Sequence, residues 1–542
     1  MQDPSGRYSL VFNGEIYNFN ELREALEANG FYFRSRSDTE VILQGFVQWG
    51  VKVFPKLHGM FALAIYDAHT EKVFLARDRL GIKPMIYSLT PSQFVFASEL
   101  KVLHQHELVS DELDSVSLMS LLRFGSASQP RTILRGVQNL SPGHFMVVES
   151  NGSHQQEPFC LPLKSVIQPR ELDYYRTVAL LRKKLETATR LNLVADVEVG
   201  CFLSGGIDST AVLALMQREV SQPIQAFSLG FSRQQEVEDE SLIAERSAKA
   251  LGAKFHRVII QDEMVPEYFS GFLKAIDQPS IDGFNTYLIS QAASQHVKIS
   301  LSGLGGDELF GGYPHFSLLA DLSEKRVKPW DRIARLIQEN RPNRYTYKLN
   351  LRGRNVVQGL HQIRNVYSKR EIKQMLKNTV EFSYPEYSIT SLSPLQNITL
   401  AEFTGYLRNT LLRDTDALSM WHGLEIRPVL LDQNILEFVL GLPDNFKIRQ
   451  GRYKAVFVDS VRDILPPEVL QRPKSGFELP YAYWMNGVLR SQMLALWESE
   501  SARSIFQATF LKSLIKRTQS NNLCRRDWLL AVLVGWAELQ LK

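Results

Sequence analysis

The sequence predicts an α+β sandwich followed by an α/β doubly wound parallel sheet with a helical C-terminal part. Three observations predict it. Short apolar runs separated by turn residues fill roughly the first 150 residues before any long helical pattern begins. Between residues 172 and 301, apolar runs alternate with helical segments, which is the signature of βαβ units. Beyond residue 317 the periodicity is mostly helical.

In the N-terminal part, residues 8–12 read as a strand ending at the turn Asn13-Gly14. Residues 18–29 carry helical spacing, with Gly30 as C-cap. Residues 60–66 and 72–76 are strand-like and flank a polar turn, a hairpin pattern. Residues 94–97 and 144–148 add two further strands. The polar, turn-rich stretch near residues 149–168 reads as a linker. A long helix over 172–191 follows. Strands are expected at 197–203, 226–230, 255–260 and 298–301, with helices at 209–218 and 239–251 between them. No internal repeat or low-complexity tract interrupts the chain.

Composition narrows the function classes. The chain has 542 residues and a mass of 61.9 kDa. Its 62 Lys and Arg against 58 Asp and Glu leave a net charge of +4, too small to point to nucleic acid. Apolar residues at 44% and charged residues at 22% are ordinary for a globular protein. Cys160, Cys201 and Cys524 make neither a disulfide framework nor a zinc spacing, so a reducing, cytoplasmic setting is expected. Apolar runs such as 528–537 fall short of the ~20 residues that span a membrane, so no membrane partner is expected. No His-Glu-x-x-His is present, and neither Ser204 nor Ser302 has the glycine two residues before it that a serine-hydrolase elbow needs.

Two motifs carry chemistry. Ser204-Gly205-Gly206-Ile207-Asp208-Ser209 lies between an apolar strand and a helix. Its glycines permit a tight turn with close approach of an oxyanion, and the helix start offers free N–H groups. That is an anion cradle suited to pyrophosphate, although it lacks the P-loop spacing. Asp208 makes sense beside phosphate when Mg²⁺ bridges them. The bland alternative is a plain Gly-rich strand-to-helix turn. A second stretch, running from Ser302 through Gly303, Leu304 and Asp307 to Tyr313, repeats the logic after another apolar strand. In a doubly wound sheet both turns lie at the carboxyl ends of strands, where ligands bind. Asp208 and Asp307 are therefore expected to hold one Mg²⁺ from opposite sides.

With these residues in hand, the chain resembles glutamine-hydrolysing asparagine synthetases. The first motif is similar to the pyrophosphate loop of N-type ATP pyrophosphatases. The second agrees, as does the run Arg413-Asp414-Thr415-Asp416 with Glu425-Ile426-Arg427-Pro428. In the first part Asn13-Gly14-Glu15, Asp38-Thr39-Glu40, Gly59-Met60-Phe61-Ala62, Arg77-Asp78-Arg79 and Ala97-Ser98-Glu99 are similar to the family's glutaminase domain. The resemblance implies a glutamine amidotransferase domain of Ntn amidohydrolase type over 1–155, a linker over 156–172, and an ATP-pyrophosphatase synthetase domain over 173–542. It implies ATP-dependent activation of a carboxylate, normally that of aspartate, as an acyl-adenylate, then attack by ammonia drawn from glutamine. ATP and Mg²⁺ are the implied cofactors, small molecules the partners, and a homodimer the implied assembly.

Carried over by residue, Ser204, Gly205, Gly206 and Ser209 would hold pyrophosphate. Phe202 and Leu229 would surround adenine, and Ser302 and Gly303 would contact the nucleotide. Asp208 and Asp307 would hold Mg²⁺, and Lys474 would neutralise phosphate charge during adenylation. Taken alone, Lys474 reads as a solvated surface lysine. Asn13 and Gly14 would form an oxyanion hole for glutamine, with Glu15 and Asp38 on its α-amino end. The alternative for Asn13-Gly14 is an ordinary hairpin turn. Asp416 and Glu425 fit either substrate contacts or structural charge pairs.

Two departures stand out. The family's N-terminal cysteine nucleophile has no counterpart, because residue 2 is Gln and all three cysteines lie far downstream. The chain reads as starting inside the family pattern, and as written it is expected not to hydrolyse glutamine and to be poorly soluble. The second departure is Leu304, where the family often carries Glu; a leucine transfers no proton. That leaves open a different acceptor carboxylate, such as a sugar or other metabolite, or a nucleotide-binding relative without turnover. Residues 277–287 are expected to line the acceptor pocket.

Overall fold

The computed structural model describes residues 1–90, 93–107, 109–160, 163, 173–231, 239–323, 325, 330, 351–381, 389–472 and 478–541. The chain divides into two compact units: residues 1–114 with 128–166, and residues 115–127 with 167–542.

The first unit is built on antiparallel sheets. Strands β1 (Tyr8–Ile16), β2 (Gly59–Asp67), β3 (Lys72–Arg77), β7 (His144–Val148) and β8 (His154–Pro158) pair in the order β1-β2-β3-β7-β8. Strands β4 (Ile86–Leu89), β5 (Phe94–Ala97) and β6 (Val137–Asn139) form a second sheet, β5-β4-β6. Strand β2 shows why the layers form. Phe61, Leu63 and Ile65 pack with Leu22 and Leu26 of the helix Phe19–Glu27 and with Ile42 and Phe46 of the helix Asp38–Trp49. Ala62 and Ala64, on the other face, pack with Tyr87 and Met85 toward the smaller sheet. The side-chain period of two places one strand in two cores, and the result is the expected α+β sandwich.

Two local expectations are corrected here. Asn13 and Gly14 do not form a turn. They continue β1 and stand opposite Ala62 and Phe61 of β2. Gly14 is needed for close approach: a Cβ there would lie 2.0 Å from the Met60 carbonyl oxygen. The polar run read as the start of a linker pairs as β8 against β7, with His154 opposite Val148. An edge strand needs only its backbone for the ladder, so its side chains stay polar and exposed. Most of the remaining linker, residues 161–162 and 164–172, lies outside the described residues.

The second unit holds the expected parallel sheet. Strands β9 (Val199–Phe202), β10 (Gln225–Phe231), β11 (Lys254–Ile260), β12 (Ile299–Ser302) and β13 (Glu425–Pro428) pair in parallel in the order β11-β10-β9-β12-β13. The chain runs outward from β9 to β11, then crosses back to lay β12 on the other side of β9. The order therefore reverses between β9 and β12, which makes that gap the topological switch point of the sheet. The helix Ile207–Glu219 follows β9 and is buried from Ser209 through Met216, so it reads as apolar on nearly every side. The rest of the described chain is mostly helical, ending in the buried helix Asp527–Gln540. Among the described residues no helix is long and apolar enough to cross a membrane.

Candidate functional site

The two glycine-rich loops leave the carboxyl ends of neighbouring strands. Ser204–Gly206 connects β9 to the helix Ile207–Glu219, and Gly303–Gly305 connects β12 to the short helix Gly306–Phe310. They touch each other. A Cβ on Gly303 would lie 2.8 Å from the Ser209 backbone nitrogen and 2.9 Å from the Asp208 Cβ. Gly303 thus has no room for a side chain, because the Asp208 loop fills the space.

The first loop is held by its own hydroxyls. The Ser204 backbone N–H donates to Ser209 Oγ at 3.1 Å, and Ser209 Oγ donates to the Gly206 carbonyl at 3.2 Å. The Ser204 and Ser209 hydroxyls lie 3.1 Å apart. Thr210 Oγ1 donates to the Gly206 carbonyl at 2.8 Å. These are the groups a phosphate would recruit, folded onto the loop itself.

Beside the loops is a cleft of about 240 Å³. Phe202, Leu203, Leu229, Ile289 and Leu304 give it apolar walls, and Ser204, Asp208, Ser209, Ser228, Asn285, Thr286, Ser302, Gly303 and Thr415 give it polar ones. Seven of the residues selected for nucleotide and metal therefore meet in one space: Phe202, Ser204, Asp208, Ser209, Leu229, Ser302 and Gly303. Gly205 and Gly206 shape the adjoining loop. An apolar slot with a few convergent polar groups suits a nucleotide base and its sugar. Asn285 and Thr286 belong to the 277–287 segment expected to line the acceptor pocket, and Thr415 to the run Arg413-Asp414-Thr415-Asp416. They join the cleft because the helix Phe284–Ala293 packs on β10 and the helix Arg413–Met420 packs on that helix and on β13.

Asp208 and Asp307 converge on one cation, the Lys454 side chain, whose Nζ lies 2.5 Å from Asp208 Oδ2 and 2.5 Å from Asp307 Oδ1. Burial alone would lower the Lys454 pKa, but the two carboxylates more than reverse it and hold the ammonium above the usual lysine value. Two hard oxygen donors that both reach a single cation position are a donor set that fits Mg²⁺, with substrate phosphates and water left to complete its shell. Among the described residues no group of three or more His, Cys, Asp or Glu assembles into a metal site. Lys474, the lysine selected from sequence, lies outside the described residues.

Around Asp307, outside the cleft lining, the packing is polar and crowded. Glu308 is buried, accepts from the Tyr313 hydroxyl at 2.6 Å, and is pushed up to about 7 by burial and then by the neighbouring Asp307 charge. The Arg364 guanidinium stacks over the rings of Tyr313 at 5.1 Å and Tyr406 at 4.0 Å and pairs with Glu402 at 2.8 Å. Tyr406 donates to Asp282 at 2.7 Å. Asp282 lies in the segment expected to line the acceptor pocket. Tyr406 sits in a π-helical stretch, Phe403–Leu412, a rare local geometry that clusters at functional sites.

In the first unit the glutamine-site candidates share one corner. Asn13 Nδ2 donates to Ser98 Oγ at 3.3 Å. Asp38 opens the helix Asp38–Trp49 and accepts from the Ile16 backbone N–H at 3.1 Å, so it reaches the end of β1 next to Glu15. Burial raises the Asp38 pKa above the ordinary value, against the pull of these hydrogen bonds. Arg77 and Asp78, part of the motif resemblance, are scaffold. The Asp78 carboxylate accepts backbone N–H groups from Phe61, Leu80, Gly81, Ile82 and Lys83.

The Asparagine synthase family model matches residues 180–540, and the Glutamine amidotransferase domain model matches residues 1–159. A protein of Mycobacterium tuberculosis named putative glutamine-hydrolyzing asparagine synthetase is 30% identical over 98% of this chain and 84% of its own length. Glutamine-hydrolyzing asparagine synthetase 1 of Bacillus subtilis is 27% identical over 99% of this chain and 86% of its own length. Amidase chyE of Penicillium rubens is 24% identical over 93% of this chain and 81% of its own length. The chain belongs to the asparagine synthase family, with a glutamine amidotransferase domain ahead of its synthase domain.

Proposed function

We propose that this enzyme uses ATP to activate a carboxylate as an acyl-adenylate and then forms an amide with ammonia, releasing AMP and pyrophosphate. The observation that carries the reading is the meeting of two glycine-rich loops at the switch point of a parallel sheet, with Asp208 and Asp307 on one cation position. The adenine ring rests between Phe202 and Leu229. Ser204 and Ser209 give up their mutual contact to hydrogen-bond the pyrophosphate end, and the N–H groups at the start of the helix Ile207–Glu219 face the same oxygens. Asp208 and Asp307 hold Mg²⁺, which when bound supplies charge for the departing pyrophosphate. Lys474 is assigned to the same charge-neutralising task. The acceptor carboxylate approaches from the side of Leu304 and Thr415.

Aspartate is the first acceptor to test, because relatives are named asparagine synthetases. Ammonia is the nitrogen that reacts, supplied free or from glutamine received at Asn13, Gly14, Glu15 and Asp38, and without the cysteine nucleophile free ammonia is the donor this chain uses. A second reading keeps the chemistry and changes the acceptor. It is favoured by Leu304, which puts an apolar side chain on the cleft wall beside Ser302 and Gly303. A cytoplasmic setting and a homodimer complete the proposal.

The test is AMP and pyrophosphate release with ATP, Mg²⁺ and ammonia across a panel of amino-acid, sugar and other carboxylates. Aspartate-dependent AMP is the result expected from the first reading, and AMP with another acceptor supports the second. Tight ATP binding without acceptor-dependent AMP would overturn both.

A further inference from the structure

Lys454 is placed by three independent features. Its backbone adopts φ +53°, in the left-handed region that non-glycine residues rarely enter, immediately before the helix Ala455–Val461. Its side chain is buried, at 8% relative exposure. Gly312 opens the path to the carboxylates: a Cβ there would stand 2.0 Å from Lys454 Cε and 2.0 Å from Asp307 Oδ1. The outcome is an ammonium held equally by Asp208 and Asp307, at the point those carboxylates offer to any cation.

We propose that Lys454 is the resting counter-cation of the nucleotide site, and that a divalent ion binds there only by displacing it. The inference rests on the reading of Asp208 and Asp307 as ligands of a divalent cation. The energetics follow from charge. A divalent ion arriving alone must break both ion pairs and leave the ammonium buried without an anion, which is costly. An ion arriving with a polyphosphate brings the negative charge that the released ammonium needs. Metal and polyphosphate are therefore positively and reciprocally coupled through Lys454. The site stays charge-compensated between turnovers and takes up the metal together with the nucleotide.

The test is titration of the full chain with Mn²⁺ alone, reading free Mn²⁺ by electron paramagnetic resonance. Lys454→Met should bind Mn²⁺ about ten-fold more tightly or better than the unmodified chain, because its carboxylates are already free of the ammonium. Lys454→Arg keeps the charge and should bind no more tightly than the unmodified chain. Equal affinity in the methionine variant and the unmodified chain would overturn the proposal. Should the methionine variant not fold, amine labelling with mass spectrometry takes its place. Lys454 should be protected in metal-free protein and should gain reactivity with Mn²⁺ and a non-hydrolysable ATP analogue; unchanged protection would overturn the proposal. If no form of the protein binds Mn²⁺ even with the analogue, the assignment of Asp208 and Asp307 itself fails. If the ternary complex forms but metal-alone affinity ignores Lys454, only this inference fails.

Discussion

Asp208 owes its position to residues far from it in sequence. Gly303 leaves the space its loop occupies, and Lys454, 246 residues away, holds its carboxylate. Asp208→Asn should keep the fold, because the amide is the same size, yet lower acceptor-dependent AMP formation by roughly 10²–10³-fold, as the loss of a charge that holds or stabilises reacting groups does. Turnover near that of the unmodified chain, with unchanged circular dichroism, would contradict the role. Much of this residue-scale picture is legible in the chain. A glycine-rich turn between an apolar run and a helix marks itself, and both aspartates stand in such turns. Lys454 does not mark itself. It sits in a loop with no recognisable spacing, and only tertiary folding brings it to Asp208 and Asp307. Asn285 and Thr415 are marked only as members of longer segments, because folding decides which residue of each segment faces the cleft.

Among the elements, the strands that run apolar from end to end are legible, and those whose burial is paid in polar contacts are not. Strand β13 reads Glu425-Ile426-Arg427-Pro428, which no hydropathy pattern selects as the edge of a parallel sheet. Arg427 is 1% exposed, yet its guanidinium donates to Glu425 and to the carbonyls of Asn192 and Val194, so burial leaves it satisfied. Strand β8 is hidden in the opposite way, by being entirely polar. The helix Asp444–Lys447 carries the reverse case. Lys447 is fully buried, its Nζ meets no hydrogen-bond partner, and burial lowers its pKa to about 8. Below about pH 8 the lysine is charged in both folded and unfolded states, and the folded state bears the whole cost. The cost fades between about pH 8 and the unfolded value of about 10.4 as the folded state sheds its proton, and is absent above it. Lys447→Met should therefore stabilise the second unit by roughly 2–3 kcal/mol at pH 7 and by progressively less as the pH rises. Urea unfolding of both proteins at pH 7 and pH 10.5 checks this. A destabilised variant at pH 7, or a difference that does not shrink with pH, would contradict it.

For the whole molecule, strand order decides where chemistry can occur. The order β11-β10-β9-β12-β13 opens a crevice between β9 and β12, and the two glycine-rich loops are the connections that leave those strands. Strand order is not readable from periodicity, so the sequence alone supports βαβ units without saying which strands are neighbours. The pairing of Ile299 with Val199 and of Leu301 with Cys201 supplies that missing fact. It is why two motifs almost a hundred residues apart form one site. The central claim is that the carboxylate attacks the α-phosphorus of ATP. Transfer of ¹⁸O from a carboxylate-labelled acceptor, in the presence of ATP, Mg²⁺ and ammonia, tests it most directly. One labelled oxygen in AMP per amide formed, with unlabelled pyrophosphate, is the expected result. Amide formation with the label in inorganic phosphate, and ADP as the nucleotide product, would contradict it.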